Sequence, residues 1–218
     1  MPASVFVTDF DGTITANDFY RLAVERLLPP EALTPWTEYR AGKISHFQAL
    51  QRIFCQIRTP ERGILDVVDA MEPAPGLTAA VADLRSNGWR IVVASAGCLW
   101  YINYILAQTD VELEVHSNPG HYGDGALHME EPLNSPFYCP ETGISKTGIV
   151  QHFLDQGARV AYAGDGFTDV PAALMVSPQL RFARADLADS LIEQNAPFRP
   201  FSVWTDVAKA LVAEGGSL

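Results

Sequence analysis

The sequence predicts an α/β fold, a parallel sheet covered by helices on both faces, with a small helical lobe inserted after the first strand. Three observations carry this expectation. Short β-prone runs ("VFVT", "RIVVA", "RVAYAG") recur between segments of helical period, and strands separated by helices form parallel sheets. About sixty residues after Thr15 keep a helical pattern with no strand among them. The apolar runs also end in small or acidic residues, as expected where a parallel sheet turns its carboxyl ends to a ligand.

The elements follow in order. "VFVT" is the first strand, and Gly12 with Thr13 lets the chain leave the sheet. "NDFYRLAVERLLPP" places Phe19, Leu22, Ala23, Leu27 and Leu28 on one helical face, with Asn17 or Asp18 as N-cap and Pro29-Pro30 as the stop. "SHFQALQRIFCQI" repeats the pattern behind a Ser45 cap, and "RGILDVVDAM" supplies another turn or two. Pro75-Gly76 reads as a hinge, Thr78 opens a helix that Gly88 closes, and Arg90 to Ala94 is a buried strand. A helix from about Trp100 to Ala107, the strand "VELEVHS" and a hairpin turning at Asp124-Gly125 come next. "EPLNSPFYCPETG" is expected to be an irregular loop. A helix capped by Ser145 and closed by Gly157, the strand "RVAYAGDG", a turn with Thr168 as helix N-cap, "LRFAR", the helix "DLADSLIEQN" and a last helix from Trp204 to Ala213 complete the chain.

Bulk composition narrows the function classes. Hydrophobic residues make up 48% and charged residues 19%, which suits a chain that buries a core. A formal net charge of -11 opposes binding to nucleic acid or an anionic membrane, because neutralising phosphates needs clustered Lys and Arg. No apolar run approaches the roughly 20 residues that span a bilayer, and the N-terminus lacks the pattern of a secretion signal, so a cytoplasmic location is expected. Cys55, Cys98 and Cys139 are too widely spaced for a disulfide framework or a close-set zinc site and are expected as reduced thiols.

Three strand ends carry candidate chemistry. Asp9 and Asp11 in "TDFDGT" are either a solvated turn or a pair of carboxylates held together by a hard cation such as Mg²⁺. Ser95 in "VVASAG" offers a hydroxyl, and Ala96 and Gly97 offer backbone N–H groups, in a pattern that suits phosphate. Asp165 and Asp169 in "YAGDGFTD" add oxygen donors around two flexible glycines. Lys146 stands in the first turn of its helix, where the helix dipole disfavours a cation; a nearby anion would account for it.

Taken together, Asp9-x-Asp11-Gly12-Thr13, Ser95, Lys146 and Gly164-Asp165-Gly166-x-x-Asp169 resemble the four ordered motifs of the haloacid dehalogenase superfamily. The resemblance implies a Rossmann-like core over residues 1–16 and 74–218, with residues 17–73 as a small α-helical cap of the phosphoserine phosphatase kind. It also implies a Mg²⁺-dependent phosphomonoester hydrolase acting on a small phosphorylated metabolite as a monomer or homodimer. In that scheme Asp9 forms an aspartyl-phosphate, Asp11 carries protons, and Ser95 and Lys146 grip the phosphoryl oxygens. Mg²⁺ is held by Asp9, the Asp11 carbonyl and Asp165, with Asp169 in support. Phosphotransferase or phosphomutase chemistry, a phosphoserine phosphatase, and an inactive ligand- or partner-binding relative are the alternatives.

Specificity is expected from the cap. Asp18 is either an N-cap or the acid that phosphoserine phosphatases turn to the substrate amino group. The cap arginine of those enzymes falls on Ile53, which leaves the adjacent Arg52 as the candidate. The segment from Asn118 to Lys146 is more similar to the 2-hydroxy-3-keto-5-methylthiopentenyl-1-phosphate phosphatases. Trp36, Tyr39, Trp100, Tyr101 and His121 are either core residues or pocket lining.

Overall fold

In the computed structural model, which describes residues 3–215, the first apolar run forms β1 (Ser4–Thr8) at the centre of the sheet. The chain then enters four short helices, α1 (Phe19–Arg26), α2 (Thr34–Arg40), α3 (His46–Phe54) and α4 (Glu61–Asp69). It returns through α5 (Leu77–Ser86), β2 (Trp89–Cys98), α6 (Leu99–Thr109) and β3 (Glu114–Asn118). Two small antiparallel pairs follow: β4 (Gly120–Gly123) with β5 (Ala126–Met129), and β6 (Tyr138–Cys139) with β7 (Gly143–Ile144). The remainder runs α7 (Lys146–Asp155), β8 (Arg159–Gly164), α8 (Val170–Leu174), β9 (Arg181–Ala183), α9 (Ala185–Glu193), β10 (Arg199–Pro200) and α10 (Trp204–Gly215).

Six strands form a parallel sheet in the order β10-β9-β8-β1-β2-β3. Alternation along β1 sends Phe6 into one layer, with Trp204, Ile91 and the helical insert, and Val5 and Val7 into the other, with Val150, Phe153 and Leu187. Phe6 stacks on Trp204, whose Nε1 donates to Thr8 Oγ1 at 3.0 Å, so the last helix holds the end of the central strand.

The insert is tied at its base by an antiparallel crossing of its two connections. Asn17 N–H donates to the Met71 carbonyl at 3.1 Å, Ala16 N–H to Glu72 at 2.9 Å and Ala74 N–H to Ile14 at 2.9 Å. Its apolar stripe of Phe47, Leu50, Ile53 and Phe54 joins the layer that holds Phe6 and Phe10, so the insert shares the core of the sheet. Asp18 caps α1, and Ser45 with Gln48 closes a capping box on α3. No helix among the described residues is long and apolar enough to cross a membrane.

Several expected boundaries shift. Gly76, at φ 74°, is the N-cap of α5; Thr78 lies inside the helix, its hydroxyl donating to the Thr109 carbonyl. Asp169 takes the α8 cap position expected of Thr168, after a 3₁₀ turn over Phe167–Asp169. β2 runs beyond Ala94 to Cys98, with its register against β3 shifting between those residues. The loop expected from Glu131 to Gly143 holds β6 and runs into β7, a pair whose two-residue strands carry no periodic signal.

Candidate active site

The strand ends and the helical insert enclose a cavity of about 480 Å³, lined on the sheet side by Asp9, Asp11, Ser95, Lys146 and Asp165. Asp9 follows β1 directly. Its backbone N–H donates to the Ala163 carbonyl on β8 and its Oδ1 accepts from Phe10 N–H at 2.7 Å, so the carboxylate projects from the sheet in one orientation.

Lys146, at the first position of α7, places Nζ 2.6 Å from Asp9 Oδ2 and 2.6 Å from Asp169 Oδ1. The anions missing from its local sequence are therefore supplied by β1 and by the segment after β8. Asp169 is fully buried, and its oxygens accept from Lys146, the Tyr162 hydroxyl, Asp165 N–H and Gly166 N–H. A carboxylate offers about four lone-pair directions, so Asp169 is saturated and holds its neighbours in place. Asp165 Oδ1 accepts from Thr13 Oγ1 at 2.7 Å, while its Oδ2 lies against Gly12, where a Cβ would collide with it. Gly12 is at φ 65°, so both the turn and the close approach require glycine.

Asp11 has different surroundings. Tyr101 OH donates to its Oδ2 at 3.1 Å and Ser95 Oγ at 3.3 Å; its Oδ1 accepts only the longer 3.4 Å bond from Phe19 N–H. Gly97 N–H donates to Ser95 Oγ at 3.0 Å, so this N–H is not one of the open donors expected at the end of β2. A Cβ on Gly97 would strike the Tyr101 hydroxyl, so this glycine clears the path of the hydrogen bond to Asp11.

The electrostatics follow from burial and crowding. Burial, then the neighbouring Asp169, raise the Asp9 carboxyl well above the ordinary carboxylate range, against the pull of Lys146. Burial and Asp169 push Asp165 up to about 7, and burial with the Asp18 charge pushes Asp11 up to about 7. Burial works against the charge on Lys146, but Asp169 and Asp9 outweigh it and hold the ammonium above its usual range. Carboxylate oxygens of Asp9, Asp165 and Asp169 lie within 4.8 Å of one another with one lysine among them. Hard oxygen donors carrying excess negative charge fit a divalent cation such as Mg²⁺, which would return Asp9 and Asp165 to their ionised forms.

The insert side differs from expectation. Asp18, Trp36 and Tyr101 line the cavity, but Arg52, Tyr39, Trp100 and His121 do not. Arg52 is half-exposed and paired with Glu38 at 3.1 Å, because the cavity side of α3 is occupied by His46, Leu50 and Phe54. Ile53 is fully buried in the core. Arg21, Arg40, His46 and Phe167 line the cavity without having been singled out from the sequence. Charge identified neither arginine, because both stand on ordinary solvated helix faces. His46 had one available signal, its position directly after the Ser45 cap.

Residues 6–174 match the haloacid dehalogenase-like hydrolase family. The 2-hydroxy-3-keto-5-methylthiopentenyl-1-phosphate phosphatase of Brevibacillus brevis is 26% identical over 211 residues, covering 95% of this chain and 94% of that protein. Its counterpart in Exiguobacterium sibiricum is 25% identical, covering 93% and 94%. A substrate-bound phosphoserine phosphatase superimposes with a TM-score of 0.65 over 96% of this chain and 98% of the other, at 15% identity. An unliganded probable phosphoserine phosphatase from Vibrio cholerae gives 0.65 at 19% identity over 99% of this chain and 67% of the other, a likeness of fold. With a parallel sheet that gathers Asp9, Asp11, Lys146 and Asp165 on one cavity wall, with Asp169 buried behind them, and a family match over most of its length, this chain belongs to the haloacid dehalogenase-like hydrolases.

Proposed function

We infer that the chain hydrolyses a small phosphomonoester through an aspartyl-phosphate on Asp9. The observation that carries this reading is the bridge from Lys146 to Asp9 and Asp169, which aims one carboxylate into the cavity beside a fixed positive charge. An Asp9 oxygen attacks phosphorus in line as the ester P–O bond breaks, and Lys146 offsets charge on the transferring oxygens. Asp11 gives its proton to the departing alcohol. Tyr101 and Ser95 both donate to Oδ2, which leaves Oδ1 as the oxygen that carries the proton. Water then attacks phosphorus, Asp11 takes its proton, and inorganic phosphate leaves Asp9 free.

Asp9 and Asp165, with the Asp11 carbonyl, would hold Mg²⁺, and Asp169 would orient them from behind. Bound there, the cation supplies positive charge to the phosphoryl oxygens. The helical insert over residues 17–73 serves as the cap and selects the alcohol. With Cys55, Cys98 and Cys139 all free, a reducing compartment such as the cytoplasm is the proposed setting.

A Mg²⁺-dependent phosphate-release screen across phosphorylated amino acids, sugars and methylthio-ketose esters tests the reading. It predicts turnover in the wild type and none in Asp9→Asn. Normal turnover by Asp9→Asn would refute it.

A further inference from the structure

The ladder between β2 and β3 breaks where the cavity begins. Four residue steps on β2, from Ala94 to Cys98, face two on β3, from His116 to Asn118, so Ser95, Ala96 and Gly97 leave the regular pairing. Two side chains at the end of β3 take up the carbonyls of this bulge. Ser117 Oγ donates to the Gly97 carbonyl at 2.8 Å, and Asn118 Nδ2 donates to the Ala96 carbonyl at 2.8 Å. The same Nδ2 also donates to the Thr142 carbonyl at 3.0 Å, on the segment that leads into Lys146 and α7. Among the described residues, no other side chain donates to both segments.

Asn118 is fully buried, and its Oδ1 is enclosed without a partner against Gly143, where a Cβ would collide with it. An enclosed, unpaired oxygen costs stability, so packing at the end of β3 does not account for the amide; its two donor contacts do. Reversing the amide would set its oxygen against both carbonyls, so these acceptors fix which end is the NH₂. The consequence falls on one peptide. The Ala96 carbonyl and the Gly97 N–H belong to the same planar unit and point in opposite directions. Holding the carbonyl at Asn118 therefore aims the N–H, which donates to Ser95 Oγ at 3.0 Å. The Ser95 hydroxyl is left to donate toward the cavity, where it meets Asp11 Oδ2 at 3.3 Å.

We propose that Asn118 is a positioning residue: its amide, anchored on the Thr142 carbonyl, fixes the Ala96–Gly97 peptide and through it the Ser95 hydroxyl that takes a phosphoryl oxygen. The proposal rests on the phosphatase reading. Asn118 does not line the cavity, so it acts only through the groups it holds.

The test measures inhibition by inorganic phosphate at fixed Mg²⁺, beside kcat/KM for a phosphomonoester, in wild type, Asn118→Leu, Ser95→Ala and the double variant. Asn118→Leu removes the amide at nearly constant volume and should weaken phosphate inhibition and lower kcat/KM by about tenfold or more. Made on Ser95→Ala, the same change should cost only about twofold, because the group it acts through is already gone. A structural asparagine would cost the same factor on both backgrounds, or none, and either result would overturn the proposal. The rise in melting temperature on adding Mg²⁺ should be the same in Asn118→Leu as in wild type, since Asp9 and Asp165 are held by other partners. Loss of that response together with phosphate binding would mean a general collapse of the site and would also overturn it. If Asn118→Leu fails to fold, the wild type still decides. Its Asn118 side-chain amide resonance should move at saturating phosphate and stay in place in Ser95→Ala; no movement, or equal movement in both, would overturn the proposal. If the wild type neither hydrolysed a phosphomonoester nor bound phosphate, the phosphatase reading itself would fall, and this inference with it. Turnover that Asn118→Leu leaves unchanged would sink the inference alone.

Discussion

On the sheet side of the cavity, the oxygens of Asp9, Asp11 and Asp165, and those of Asp169 buried behind them, nearly all accept from a protein donor. On the facing helical side, Trp36, His46, Leu50 and Phe54 present rings and aliphatic surface. Fixed charge needs a rigid frame, because misplacing a like charge among buried carboxylates is costly, and β1, β8 and the saturated Asp169 supply that frame. Selecting an alcohol asks for shape and apolar surface, which short capped helices provide. The comparison separates reaction from selection, so variants on the two walls should fail in different ways.

The largest effect should come from Asp9→Asn, which removes the nucleophile and should abolish turnover. It also relieves a carboxyl held above its ordinary range by burial and Asp169, so without metal the variant should melt no lower than the wild type. Thermal unfolding beside the phosphate assay checks both halves. Lys146→Met should be worse for the fold, since it strands Asp9 and Asp169 without their buried partner at a cost of about 3 kcal/mol. Urea unfolding would measure that loss.

Metal addition sharpens the contrast. If Mg²⁺ sits among the acids, it should raise the melting temperature of the wild type, by about 2.7 kcal/mol of stability at a hundredfold excess over Kd. It should do so much less in Asp165→Asn, while variants on the helical wall respond normally.

A smaller effect separates Asp11 from its neighbours. As the proton donor, a group near 7 makes kcat/KM fall as pH rises through that region. Asp18→Asn removes a repelling charge but keeps an amide able to cap α1, so the falling limb should move to lower pH. Tyr101→Phe removes a bond that favours the carboxylate form, so the limb should move to higher pH. Shifts in the same direction would show that another group titrates. Arg52→Ala should change least, less than about twofold in kcat/KM, because it breaks only a surface pair with Glu38 outside the cavity.

The two walls also differ in how far they could be read in the sequence. Asp9 and Asp11, or Gly164, Asp165 and Asp169, lie within a few residues of one another behind apolar strands, so covalent proximity carries the pattern. Lys146 was legible because a cation at a helix start lacks a local reason. Tyr162 and Trp204 were not, because their partners Asp169 and Thr8 are contacts of the folded state. The aromatic wall was less legible still. Trp36, His46 and Phe167 come from α2, α3 and the turn after β8, and no periodicity predicts that three segments meet. Arg52 shows the reverse error: an arginine at a plausible helix position points away once the apolar stripe of α3 has chosen its direction.

Trapping the phosphorylated enzyme tests the central claim most directly. Wild type quenched in acid during Mg²⁺-supported turnover of a labelled phosphomonoester, then digested and mapped, should carry one acyl-phosphate on Asp9, and Asp9→Asn should carry none. Steady turnover with no label on Asp9, or label on a different residue, would contradict the account.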